Sequence, residues 1–544
     1  MQDEDVSDRA ELEGMMKLLV FCSLMLSLTT MVCAADVSGP VVSVTGGKIQ
    51  GRVLTAPGGA VFKGVPFAAP PVGELRWRVP APVVPWQGVR DAGAFGPSCV
   101  QEIRDWNRVE ATGSKEDCLT LNVWTSEWPA KTKKPVMLWM FGGGNTGGGS
   151  NVDYFDGASL SRKGVILVSI NYRLGVFGFM AHPALTTESA HHSSGNYGLH
   201  DQLAALKWVH ENIASFGGDP DNVTVFGQSA GGGDLAYMMS SPLSRGLIHK
   251  AIQQSSSAGV RSFPTLADAE QTGEQLAAKM QAPADKDGIK YLRGLSAEQL
   301  QKASVAAASE LGRINLGLAI VDGWYLPANA RQTFAAGKQH SIPLIIGSMA
   351  RETGPPKADA LRKAVTDAYG INAEKALTFY GLDVPGDGKS DPLYGSAAQQ
   401  YQSEAGLPER CGTIQEAIWF TAANSPVYQY QIDRAIPGQD GTHHSGDLPY
   451  VFGNLLPVAQ NNLGGSYTET DRKISNEIQT YWTNFAKTGN PNGTGLPNWP
   501  KFEPGARPFI EFTDNGPVAN AGLRREICDL FMENLQHQMK TTGR

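Results

Sequence analysis

The chain has 544 residues, 41% of them hydrophobic and 18% charged, with a formal net charge of -7. That balance is ordinary for a soluble globular protein and excludes a nucleic-acid binder built on a concentrated basic surface. The 62 glycines and 33 prolines follow no period, which excludes collagen and repeat arrays and predicts many turns.

Residues 1–34 read as an N-terminal extension and a secretory signal peptide. The acidic run MQDEDVSDRAELEG is foreign to a signal n-region, so translation is expected to start at Met15 or Met16. Lys17, an apolar stretch from Leu18, and small residues at Val32-x-Ala34 or Cys33-x-Ala35 then fit export and cleavage. A membrane anchor is the competing reading. Ser23, Ser27, Thr29 and Thr30 dilute the apolar run, and no basic stop-transfer cluster follows. The mature protein is therefore expected to be secreted or periplasmic, with no stable membrane insertion. Cys22 and Cys33 leave with the signal. Cys99, Cys118, Cys411 and Cys528 remain, an even number that suits disulfides in an exported chain but leaves three pairings open.

From 41 to 260, short apolar runs alternate with amphipathic segments. PVMLWMF (135–141), GVILVSINY (164–172) and NVTVFG (222–227) each predict a buried strand. The first runs into FGGGNTGGGS, where consecutive glycines let main-chain N–H groups approach a substrate oxygen. A phosphate cradle is excluded there because no Lys-Ser/Thr follows the glycines, and a dinucleotide site because VSINYR offers no acidic residue. Between the last two strands, Leu203, Leu206, Val209 and Ile213 recur at helical spacing. Strand, helix and strand in succession predict a parallel sheet with helices on its faces.

The strand over 222–227 meets Gly227-Gln-Ser229-Ala-Gly231. A nucleophile elbow needs small residues two before and two after the serine, and the following helix start directs N–H groups toward it. Beyond 260, helical composition over 264–340 and 356–425 brackets the strand candidate IPLIIGS, and VYQYQID (427–433) and RPFIEFT (507–513) predict late strands. Helical insertions between late strands are a common way to build a lid over a sheet's C-terminal edge. No linker separates domains, so 35–544 is expected to form one catalytic domain.

These residues carry a resemblance that spans nearly the whole mature chain. FKGVPFAAPPVGELRWRVPAPVVPWQGVRDAGAFGPSC, EDCLTLNVW, SINYRLGVFGF, GNYGLHDQLAALKWVHENIASFGGDPDNVTVFGQSAGG, HSGDLPYVFG and NPNGTGLPNWPKFEP resemble the type-B carboxylesterase/lipase family, relatives of the cholinesterases. The resemblance implies the α/β-hydrolase fold: a large, mostly parallel central sheet flanked by helices, with helical insertions forming a lid or gorge. It implies a carboxylic-ester hydrolase acting on small to bulky organic esters, xenobiotic and polycarboxylate esters among them, with water as the second reactant and neither cofactor nor metal. The family also includes inactive binding or adhesion modules, the rival reading. Dead members usually lose a triad group, whereas every candidate is in register here.

Carried over residue by residue, the resemblance makes Ser229 the nucleophile, with Gly143, Gly144 and Ala230 as oxyanion-hole donors. His444, three before Asp447, becomes the base, with His443 as runner-up. In IIGSMARETG, Glu352 becomes the acid, although Met349 and Thr353 depart from the family pattern and a plain loop carboxylate is the alternative. Ser255 matches a position that supports the triad from behind. Cys99–Cys118 and Cys411–Cys528 become disulfides, and Arg76–Glu116 and Arg173–Asp201 bracing ion pairs. The departures Phe141 and Asn145 flank the glycines and, with Trp106 in the first disulfide loop, are candidate substrate contacts. Asn145 serves equally as a loop-stabilising residue and Trp106 as a packing one. Oligomeric state is not legible in the sequence.

Overall fold

The computed structural model describes residues 39–54, 58–284, 287–312, 314–352, 358–455 and 466–542. The expected signal segment lies outside them, and residues 40–544 form one compact unit.

Among the described residues fourteen strands form in chain order: β1 (Val41–Val44), β2 (Gly47–Gln50), β3 (Arg52–Val53), β4 (Ala60–Pro66), β5 (Val89–Asp91), β6 (Thr120–Thr125), β7 (Lys134–Met140), β8 (Ile166–Ile170), β9 (Gly218–Gln228), β10 (Lys250–Gln254), β11 (Leu344–Met349), β12 (Val427–Ile432), β13 (Pro508–Thr513) and β14 (Gly516–Ala521). Strands β1, β2 and β5 make a small sheet, and the others an 11-stranded sheet ordered β14-β13-β12-β11-β10-β9-β7-β8-β6-β4-β3. From β8 to β13 neighbouring strands pair in parallel, and antiparallel strands finish both edges. The predicted apolar runs are the central strands: β7, β8, β10, β11 and β12 are almost wholly buried, as expected of parallel strands covered on both faces.

The predicted helix forms over Tyr197–Asn212 and ends through a 3-10 turn at Gly217, whose φ of 83° a side chain would resist. Both predicted helical regions are helical. The first holds Leu266–Lys279, Asp287–Gly294, Ala297–Glu310 and Ala330–Ala335, and the second Ala358–Tyr369, Ala373–Tyr380 and Cys411–Ala422. Two of them start on reciprocal capping boxes, Thr265 with Asp268 and Ser296 with Gln299.

Two disulfides tie segments around the sheet, Cys99–Cys118 and Cys411–Cys528, with Cα atoms 5.0 and 4.9 Å apart. The second joins the start of the helix Cys411–Ala422 to the C-terminal helix Arg525–Thr542. Arg76 forks onto Glu116 through two bonds of 2.7 Å, and Arg173 onto Asp201 through bonds of 2.8 and 2.7 Å. Among the described residues no helix is long and apolar enough to cross a membrane.

Candidate active site

Ser229 stands between β9 and the helix Ala230–Ser240 with φ 56° and ψ -122°, a conformation that non-glycine residues avoid. The turn is held by contacts that tolerate no side chain nearby. A Cβ on Gly227 would lie 2.5 Å from the Gly231 carbonyl, and one on Gly231 would lie 2.2 Å from the Met140 carbonyl oxygen. The glycines of the motif are thus fixed by backbone packed on backbone, and the tight turn lifts the serine above the sheet.

The glycine loop after β7 passes beside it. A Cβ on Gly142 would come within 2.8 Å of the Ser229 Cβ, and Gly143 and Gly144 have φ of 106° and 65°. Among the described residues the N–H groups of Gly143, Gly144 and Ala230 have no protein acceptor. Three free donors around one serine, one of them at a helix N-terminus, are what a developing oxyanion needs.

Glu352, three residues past the end of β11, is buried and uses both carboxylate oxygens. Oε1 accepts from the Met349 N–H at 2.7 Å, and Oε2 lies 2.7 Å from His444 Nδ1. Its own N–H donates to Ser403 Oγ at 3.1 Å. The turn is braced from behind by Arg410, whose guanidinium donates to the Met349 and Ala350 carbonyls and pairs with Glu404 at 3.0 Å. Cys411, the next residue, is bridged to Cys528. His443 turns elsewhere, its Nδ1 lying 2.8 Å from the His444 carbonyl oxygen.

Ser229, His444, Gly144 and Ala230 line one cavity of about 330 Å³, within the range of small-molecule sites. The helical insertions supply parts of its wall: Asn315 and Gly317–Ala319 from the first, Leu407 and Glu409 from the second. Among the described residues no group of three or more His, Cys, Asp or Glu is placed to hold a metal ion.

Burial works against a charged His444. The hydrogen bond and charge of Glu352, joined by Glu409 and Asp447, outweigh it and push the imidazole up to about 9. Burial in turn lifts Glu409 to about 8, with the Glu352 charge adding to the effect. Burial lifts Asp447 to about 6, although Gln254 donates to it.

The substrate-contact candidates separate. Phe141 is buried against Tyr172, ring centroids 4.4 Å apart at 18°, and is not part of the cavity lining, because the strand end turns its ring into the core. Asn145 does line the cavity, but its Nδ2 donates to Asp234 Oδ1 at 3.0 Å and its Oδ1 accepts from the Tyr172 hydroxyl at 3.3 Å. Its amide braces the loop. Trp106 is 55% exposed and leans on the glycine loop, where Cβ atoms on Gly143 and Gly147 would meet its ring at 3.0 and 2.8 Å, but it is not part of the cavity lining. Ser255 lines the cavity with φ 45°, its N–H donating to the Gly347 carbonyl at 2.9 Å.

Three residues at the site are not named by sequence reasoning. Gln228 places its Nε2 3.1 Å from His444 Nε2, and its position inside the Gly-x-Ser-x-Gly run was the available signal. Glu409 and Arg261 lie in no motif and were invisible until folding brought them to the cavity.

The carboxylesterase family profile matches residues 38–376 and 407–531. The fumonisin B1 esterase of Sphingopyxis macrogoltabida is 37% identical over 460 residues, 81% of either chain. The para-nitrobenzyl esterase of Bacillus subtilis is 35% identical, covering 85% of this chain and 92% of its own. Human carboxylesterase 3 is 31% identical over 92% and 91%. A solved thermophilic PNB esterase superposes with a TM-score of 0.78 at 31% identity, covering 91% of this chain and 100% of its own. Similarity of that breadth, on a sheet and elbow of this geometry, makes the chain a member of the carboxylesterase family, a carboxylic ester hydrolase on the α/β-hydrolase fold.

Proposed function

We propose that the protein hydrolyses carboxylic esters through Ser229, His444 and Glu352, with Gly143, Gly144 and Ala230 as the oxyanion hole. Neutral His444 takes the Ser229 proton as Oγ attacks the ester carbonyl, while Glu352 holds the Nδ1–H tautomer and stabilises the imidazolium. The tetrahedral oxyanion is received by the three N–H groups. His444 then returns the proton to the departing alcohol, and water repeats the sequence on the acyl-enzyme. The observation that carries this reading is the 2.7 Å contact between Glu352 Oε2 and His444 Nδ1, with His444 lining the same cavity as Ser229.

The proposed substrates are small to bulky organic esters, xenobiotic and polycarboxylate esters among them. The range of names among its relatives, from a fumonisin B1 esterase to a para-nitrobenzyl esterase, supports that breadth. The two disulfides support an exported, secreted or periplasmic protein. The inactive adhesion module is disfavoured because no triad position is vacant. Hydrolysis of p-nitrophenyl esters by the wild type and its loss in Ser229→Ala is the test; equal activity in both would overturn the nucleophile.

A further inference from the structure

Arg261 follows the short turn Ala258–Val260 and lines the cavity that holds Ser229 and His444. Arg261 is half-buried, and unlike Arg76 with Glu116, Arg173 with Asp201 and Arg410 with Glu404 it has no carboxylate against it. Among the described residues the Arg261 guanidinium has neither an ion-pair nor a hydrogen-bond partner. An unpaired guanidinium in the wall of a pocket offers a fork of donors matched to a carboxylate.

The surroundings do not cancel its charge. Burial pushes Glu409 and Glu416 each up to about 8 against the Arg261 charge, which favours their ionised forms, and neither carboxyl makes an ion pair with it. Burial lifts Asp234 to about 7, and its two oxygens already accept from Asn145 and Gln202. Tyr237, the remaining titratable group of the lining apart from His444, is held in its neutral form by burial. The same lining includes Ser255 and Ser257, whose hydroxyls are buried without a partner. Such hydroxyls are uncommon in native proteins, and here a bound ligand would complete them.

We propose that Arg261 forms a carboxylate subsite within the catalytic cavity, so that the enzyme prefers esters carrying a second, free carboxylate over the same esters with that carboxylate capped. This rests on the Ser229 chemistry proposed above and narrows its substrate class. Asn145, the polar residue beside the glycines, is occupied by Asp234 and Tyr172 and does not compete for the role.

The test compares mono-4-nitrophenyl glutarate with its methyl-capped neutral counterpart, which share the leaving group and acyl length. The wild type is expected to favour the anionic ester, and Arg261→Gln to lower the anionic-to-capped ratio of kcat/KM by about tenfold to a hundredfold, the scale of one charge-assisted contact. Arg261→Lys, which keeps the charge and loses the fork, should give an intermediate ratio and stands in if the glutamine variant does not fold. A wild type that prefers the capped ester, or a ratio within twofold of wild type in both variants, would overturn the subsite. Failure of the wild type to cleave either ester would instead strike the proposed function itself.

Discussion

Gln228 Nε2 lies 3.1 Å from His444 Nε2, so the residue next to the proposed nucleophile reaches the nitrogen that must take its proton. With Nδ1–H committed to Glu352, Nε2 is the ring's acceptor and Gln228 is a donor to it. That bond favours the neutral imidazole. Gln228→Ala removes it, and the acid limb of the kcat/KM profile is expected to move to higher pH. A limb that stays in place would show that the contact does not exist in solution.

In the proposed triad, the 2.7 Å contact of Glu352 with His444 sets the tautomer. Glu352→Gln keeps the shape but removes the charge that stabilises the imidazolium, and kcat is expected to fall by about 10⁴, as for comparable triads, with little change in KM. Steady-state kinetics on a p-nitrophenyl ester measures it. A loss under tenfold would mean that another acid orients His444.

Activity should rise with pH through the neutral range. A base must be neutral, and His444 is pushed up to about 9, so the active fraction grows as pH climbs toward that value. Glu409 contributes to the push through its charge. Glu409→Gln should therefore lower the His444 pKa and extend activity to lower pH, a shift read from kcat/KM between pH 6 and 10, roughly the span around a perturbed histidine. A shift the other way would remove Glu409 from the electrostatics of the base.

The elbow cannot accept a methyl group at Gly231, where a Cβ would sit 2.2 Å from the Met140 carbonyl oxygen. Backbone must move, and Gly231→Ala is expected to cost about 3 kcal/mol of stability and most of the activity, because the displaced helix start carries Ala230. Thermal unfolding and esterase rates report both. Retention of wild-type stability would contradict the packing described.

The bridge between Cys411 and Cys528 closes a separation of 117 residues and adjoins Arg410, which braces the Glu352 turn. Cys528→Ser is expected to destabilise the protein by about 2–5 kcal/mol, with the loss seen as a lower Tm that nears the wild-type value once both are measured in reductant. An unchanged Tm in oxidising buffer would show that the bridge does not form.

Much of this architecture follows from neighbours in the chain. The apolar runs that became β7, β8 and β11, the helix over Tyr197–Asn212 and the glycines around Ser229 rest on periodicity and short-range sterics, which a sequence displays directly. Glu352 and His444 were nameable only because their blocks resemble a family. What the sequence could not decide depends on burial and on charges brought together from distant segments. Phe141 turned from the cavity to Tyr172, and Asn145 gave its amide to Asp234, 89 residues away. Arg261 was left in the cavity wall beside Glu409, whose ionised form burial disfavours. Neighbours in the chain single out the proposed nucleophile; the folded cavity, where desolvation decides which groups stay charged, determines what that serine is offered.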